Sequence, residues 1–221
     1  MKNNIRLKLV SNFSSIDIKK NFTFSALNLA FLSFLFSGSI KIPKNLFLWC
    51  DGITGKFLYK VEKIAGNEFL KKFYNFKFSK VIVLGNYTNK QLSYLNRKFN
   101  TKVSGISIPK VTNKDIKKFV PKIERNTLVL ITLPTPKQEI LSNEIIKKSK
   151  YYKILCIGGG LSIATGEIRK CPKFLYNLGL EFLWRLRTDT IRRLKRLIVT
   201  LLIFTFYLLI GKLSKLKVIV I

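Results

Sequence analysis

The polar side chains best suited to chemistry in this sequence sit just after short apolar runs. The densest case is the turn Leu133-Pro134-Thr135-Pro136-Lys137-Gln138-Glu139, which follows the strand-like run 127–133 and leads into a helix-like run, 140–148. The run 153–157 ends in the triplet Gly158-Gly159-Gly160, and the run 47–50 ends in Asp51-Gly52. Loops at the carboxyl ends of parallel strands are where open α/β sheets bind ligands. A carboxylate held at such a rim, as Asp51 would be, can serve as a general base; an acid in that position is equally explained as a turn former. Gly85 and Gly158 both fall just past strand-like runs, where backbone amides can approach a phosphate. Neither lies in a GxGxxG or Walker pattern, so tight turns explain them as well.

Composition narrows the chemistry. The 221 residues include no histidine, which removes the commonest general base and metal ligand. Cys50, Cys156 and Cys171 are isolated and lack zinc-site spacing, so no metal is expected and each reads as an ordinary thiol in a reducing compartment. Hydrophobic residues make up 48% of the chain, enough to build a core. Lys and Arg number 41 against 11 Asp and Glu, a formal charge of +30. Such a field favours a polyanion, an anionic membrane face or a phosphate-rich substrate. The abundance of Lys, Asn, Ile and Phe also fits a compositionally biased proteome, which would make part of the charge background.

The elements that must position these residues follow from periodicity. Short strands are expected at 5–9, 47–50, 80–84, 102–108, 127–133 and 153–157. Helices are expected at 24–36, 55–73 (interrupted at Gly66-Asn67), 91–99, 115–120 and 140–148. Strands alternating with helices imply βαβ units. The expected fold is therefore α/β and Rossmann-like, a largely parallel sheet with helices on both faces, with a core over residues 1–170. Residues 171–221 are expected to form a basic, apolar, helical appendage that associates with membranes. Within it, Arg185, Arg192 and Arg196 share one helical meridian, and the apolar run 197–210 follows directly. That run falls short of the roughly 18–20 residues that span a bilayer. A helix lying on an anionic leaflet is the expectation, with a single C-terminal span as the alternative.

Four ordered motifs resemble the WecG/TagA/CpsF glycosyltransferases (glycosyltransferase family 26). They are Asp51-Gly52, Ile64-Ala65-Gly66-Asn67-Glu68-Phe69, Pro136-Lys137-Gln138-Glu139, and the long stretch from Gly158 through Gly179-Leu180-Glu181 to Arg185. The resemblance implies an inverting transfer of a sugar, N-acetylmannosamine, its uronic acid or a related hexose, from a UDP donor. The implied acceptor is a polyprenyl-diphosphate-linked sugar at the cytoplasmic membrane face, in cell-surface polysaccharide synthesis. It implies Asp51 as the base, Gln138 touching the donor sugar or the leaving diphosphate, and Asn28 as a site asparagine. Lys63 stands where the family has an arginine near the phosphates. Pro136, Lys137, Glu139, Gly158 and Gly159 would line the donor site, and Arg185, Arg192 and Arg196 would lie close to the diphosphates. No cofactor beyond the UDP-sugar substrate is implied, and members self-associate. The sequence departs from the family at Ala26, Lys63, Ser162 and Thr132-Leu133-Pro134, where glycines or other polar groups are usual. A non-catalytic member that binds membranes or polyanions is the competing expectation. Nucleic-acid binding is not expected, because no recognised module accompanies the charge.

Overall fold

The computed structural model describes residues 5–43, 45–51, 59–187 and 190–221. Its centre is an eight-stranded sheet: β1 (Ile5–Leu9), β2 (Phe22–Leu27), β3 (Leu46–Cys50), β4 (Lys80–Gly85), β5 (Val103–Ser107), β6 (Thr127–Ile131), β7 (Lys153–Cys156) and β8 (Leu216–Val220). The spatial order is β5-β4-β6-β7-β2-β3-β1-β8, and every pairing is parallel. Among the described residues eight α-helices join it, α1 (Leu29–Phe36), α2 (Gly66–Lys71), α3 (Asn89–Phe99), α4 (Lys137–Lys148), α5 (Gly160–Ala164), α6 (Lys173–Asn177), α7 (Glu181–Leu186) and α8 (Thr190–Leu209), with short 3-10 helices at Phe13–Ser15, Asp115–Phe119 and Lys212–Lys215, the second of them where a helix over 115–120 was expected. The fold is thus α/β and Rossmann-like.

Burial follows the strand alternation. Phe22, Phe24, Trp49, Val81, Val83, Leu128, Leu130 and Leu155 point to one face, which α2, α3 and α5 cover. The opposite face carries two clusters. Leu27, Leu48 and Cys50 meet α1 and α8, while Ile82, Leu84, Val129, Ile131 and Ile154 meet α4. With helices on both faces, the central strands read as continuous apolar runs, as buried parallel strands do. From adjacent strands β4 and β6 the chain departs in opposite directions, to β5 through α3 and to β7 through α4. Such a switch point opens a crevice at the carboxyl ends of the strands.

Two sequence expectations are corrected. The run 24–36 is not one helix: it is the second half of β2, then Asn28 as N-cap, then α1. A continuous apolar run cannot distinguish a buried strand from a buried helix. The chain breaks at Asn28 because its side chain accepts from the Phe31 amide at 3.0 Å. In the run 55–73, residues 55–58 lie outside the described residues, and a helix, α2, begins at Gly66, where an interruption of a longer helix was expected.

The C-terminal segment also holds an element absent from the sequence reading. α8 lies along α1, with Ser33 Oγ donating to Thr200 O at 3.0 Å and Lys212 Nζ to Phe36 O at 2.8 Å. It then returns as β8, in register with β1 from Ile5–Leu216 to Leu9–Val220. α8 is therefore part of the crossover from β7 to β8, which passes β2, β3 and β1. Among the described residues no helix is long and apolar enough to cross a membrane, so the alternative of a C-terminal span is not supported.

The contact of α2 with α5 requires a glycine. A Cβ on Gly160 would stand 3.0 Å from the Gly66 carbonyl carbon and 3.1 Å from the Asn67 amide nitrogen. Both are backbone atoms and cannot rotate away. Gly160→Val should therefore lower stability by about 1–3 kcal/mol, read as an earlier midpoint in urea unfolding with the slope unchanged.

Candidate active site

The rim formed by the carboxyl ends of β6, β7, β2 and β3 gathers most of the polar residues singled out in the sequence. At its centre lies the first turn of α4. Pro136 caps this helix after a cis Thr135–Pro136 bond, and Lys137, Gln138 and Glu139 form its first turn. Glu139 is only 3% exposed. Its Oε1 accepts from Ser25 Oγ at 2.7 Å, Gln138 Nε2 at 2.8 Å and Thr135 Oγ1 at 3.3 Å. Burial pushes the Glu139 carboxyl above its ordinary range, and the same hydrogen bonds draw it part of the way back. Gln138, 4% exposed, donates a second bond from Nε2 to Thr135 Oγ1 at 3.2 Å. Gln138 Oε1 and Glu139 Oε2 have no hydrogen-bond partner among the described residues. Cys156 approaches the Gln138 carbonyl at 3.7 Å; burial pushes its thiol well up, which leaves it a poor nucleophile.

Two strands from the end of β7 lies the second acid. Asp51 follows β3 directly and is half-buried, with its amide donating to Leu27 O at 3.2 Å. Neighbouring strands are spaced about 4.8 Å apart, so the ends of β7 and β3 are separated by about 10 Å across β2. Asn28 stands between them at the end of β2, its side-chain oxygen committed to the α1 cap. Gly158 and Gly159 follow β7, half-buried and exposed respectively.

Beside Asp51 the C-terminal segment is latched to the sheet. Lys63 forms an ion pair with Glu181, the two side chains being 8% and 13% exposed. Its Nζ also donates to Tyr176 O at 3.0 Å and sits 3.8 Å from the centroid of that ring. Tyr176 completes the exchange, donating from its hydroxyl to Lys63 O at 3.0 Å. Burial raises the Tyr176 phenol far above its usual range, and the nearby charges of Glu181 and Asp51 add to that. A cavity of about 670 Å³ opens beside this latch, lined by Ile163, Tyr176 and Trp184 and edged by Lys72, Arg169 and Lys173.

The structure thus brings together Asn28, Asp51, Pro136, Lys137, Gln138, Glu139, Gly158 and Gly159 along one rim. Arg196 joins them from α8, donating from Nη2 to Thr135 O at 3.3 Å. Arg185 lies in α7 and Arg192 in the first turns of α8. Lys63 lies at the same rim but is engaged with Glu181. Gly85 has a packing reason: a Cβ there would stand 2.7 Å from Thr132 Oγ1 and 3.1 Å from Leu133. Ser25, Thr135, Tyr176 and Glu181 were given no role from sequence. Ser25 carried a signal, since Thr23 and Ser25 are polar at period two inside an apolar run. Among the described residues no group of three or more His, Cys, Asp or Glu is arranged to hold a metal ion.

A model of the glycosyl transferase WecG/TagA/CpsF family matches residues 53–218 of this chain. The match covers most of the sequence, including α2, the Pro136–Glu139 turn, the glycine triplet and α8. The chain belongs to this family of glycosyltransferases. Asp51 lies just before the matched residues, and Asn28 lies well upstream of them.

The latch makes a double-substitution prediction. Lys63→Met alone should cost about 3–5 kcal/mol, because it strands Glu181 in a largely buried position. The pair Lys63→Met/Glu181→Met should be less destabilised than that single variant. Urea unfolding of the four proteins in the cycle measures both.

Proposed function

We propose that this glycosyltransferase moves a sugar from a UDP donor to a polyprenyl-diphosphate-linked acceptor with inversion at the anomeric carbon. The observation that carries the reading is the meeting, at one rim, of Asp51 with the Pro136–Glu139 turn of the matched family. In this reading the acceptor hydroxyl oxygen attacks the anomeric carbon as the bond to the β-phosphate oxygen breaks. The hydroxyl proton passes to the Asp51 carboxylate, and UDP leaves with the bonding pair. The sugar would lie between the ends of β3 and β7, across the end of β2. The amides of the first turn of α4 point to the rim and favour negative charge. Arg196, at the Thr135 carbonyl, would add a cation beside the departing diphosphate. The donor is N-acetylmannosamine, its uronic acid or a related hexose, carried as the UDP-sugar, and no metal is required in this reading.

The outward side of α8 supports placement at the cytoplasmic face of a membrane. A crossover helix normally turns a polar side to water, yet Leu202, Phe206 and Leu209 are 66%, 58% and 77% exposed. Ile198, Val199 and Leu201 extend the patch, and Arg193, Lys195 and Arg196 precede it. An apolar side with cations at one end suits a helix lying in an anionic leaflet. Such docking would hold the rim beside a lipid-linked acceptor.

One observation favours a second reading, a non-catalytic member that keeps the fold and the membrane contact. Lys63, at the position implied to face the phosphates, is committed to Glu181.

Two experiments test these readings. Asp51→Asn should lower acceptor-dependent UDP release by about 10²–10⁴-fold while donor binding changes little; unaltered release would remove Asp51 from the role of base. Silence of the wild-type protein across a panel of UDP-sugars, with intact folding, would establish the second reading. Leu202→Glu/Phe206→Glu/Leu209→Glu should abolish co-sedimentation with anionic phosphatidylglycerol vesicles and leave the unfolding midpoint nearly unchanged. Persistent sedimentation would overturn the docking role of α8.

A further inference from the structure

The hydrogen bonds around Gln138 decide which of its two polar ends faces the rim. An amide side chain offers two N–H donors at one atom and an acceptor at the other. Glu139 Oε1 accepts from three groups, Ser25 Oγ, Thr135 Oγ1 and Gln138 Nε2. With Glu139 ionised, both its oxygens only accept, so the Gln138 atom 2.8 Å from Oε1 is the amide nitrogen and the amide has one orientation. Its Oε1 then has no donor among the described residues, although the side chain is almost fully buried. That oxygen points toward Gly158: a Cβ built on Gly158 would stand 3.7 Å from it. No side chain at Gly158 stands between this buried oxygen and the rim beyond exposed Gly159.

Resting on the transferase reading, we infer that Glu139 is a positioning residue that fixes Gln138 as a hydrogen-bond acceptor, so that Gln138 reads a hydroxyl or amide N–H of the donor sugar and not the diphosphate. Phosphate oxygens of a nucleoside diphosphate only accept hydrogen bonds at neutral pH, and two facing acceptors repel. A sugar hydroxyl or acetamido N–H supplies the donor that the buried oxygen requires. Ser25 is part of the same device. It reaches Glu139 from β2, the strand between the Asp51 rim and the Gly158 rim. The orientation of the sugar reader is thereby referenced to the middle of the site.

The test is calorimetric titration of the full chain in detergent with UDP and with UDP-N-acetylmannosamine, UDP-N-acetylglucosamine and UDP-glucose, following the tightest sugar. Gln138→Leu should weaken the UDP-sugar roughly tenfold and leave UDP within about twofold. Glu139→Met should do the same without touching the ligand, and the double variant should be no worse than Gln138→Leu. Glu139→Gln keeps a carbonyl acceptor and should restore binding to within about threefold of wild type, with an intact unfolding transition. Equal losses for UDP and UDP-sugar in Gln138→Leu would assign Gln138 to the diphosphate and overturn the inference. Additive losses in the double variant would overturn the positioning role of Glu139. A wild-type protein that binds neither UDP nor any of the sugars would bring down the transferase reading and this inference with it.

Discussion

A carboxyl group cut off from water holds the site in one arrangement. Glu139 is buried under the first turn of α4 and bonded to Ser25 of β2 across the intervening end of β7. Burying a carboxyl is costly unless several donors surround it. Here the donors come from three places along the chain, the middle of β2, the proline turn and the helix itself. None can shift without stranding the others. The turn after β6, the start of α4 and the central strand are therefore locked in mutual register, and the polar atoms left over face the rim.

The C-terminal quarter of the chain is fastened to this frame at both ends. Near the site, Lys63 and Tyr176 exchange hydrogen bonds and Glu181 completes the ion pair, which places α6 and α7 beside Asp51. At the far end β8 extends the sheet beyond β1. Between them α8 covers the buried side of α1 while Arg196 touches the proline turn. One helix thus closes a face of the core, brings a cation to the site and turns an apolar side outward.

Much of this was legible in the sequence where local chemistry and burial agree. β4, β6 and β7 are short runs, apolar after a polar first residue and ended by turn residues, and each lies where expected. The ordered motifs from Asp51 to Arg185 pointed to the family, and the rim residues among them converge. Legibility failed where one apolar run holds two elements. Residues 24–36 divide at Asn28 because a cap competes with continuation, and the apolar pattern alone carries no sign of that competition. The strand β8 escaped for a related reason. A short basic-apolar stretch after a helix has no partner until β1 is placed beside it.

By itself the sequence determined the α/β alternation, the family and the positions of the polar turns after the strands, because these depend on local composition and spacing. Only the tertiary structure decided what each polar group faces. Lys63 could be read as a phosphate ligand until folding set Glu181 against it. Gln138 could be read as donor or acceptor until Glu139 took its amide nitrogen. Ser25 had no role until β2 and α4 were brought together. Hydrogen bonding and ion pairing depend on partners far apart in the chain, 114 positions for Ser25 and Glu139. The periodicity of a segment carries no record of such distant contacts.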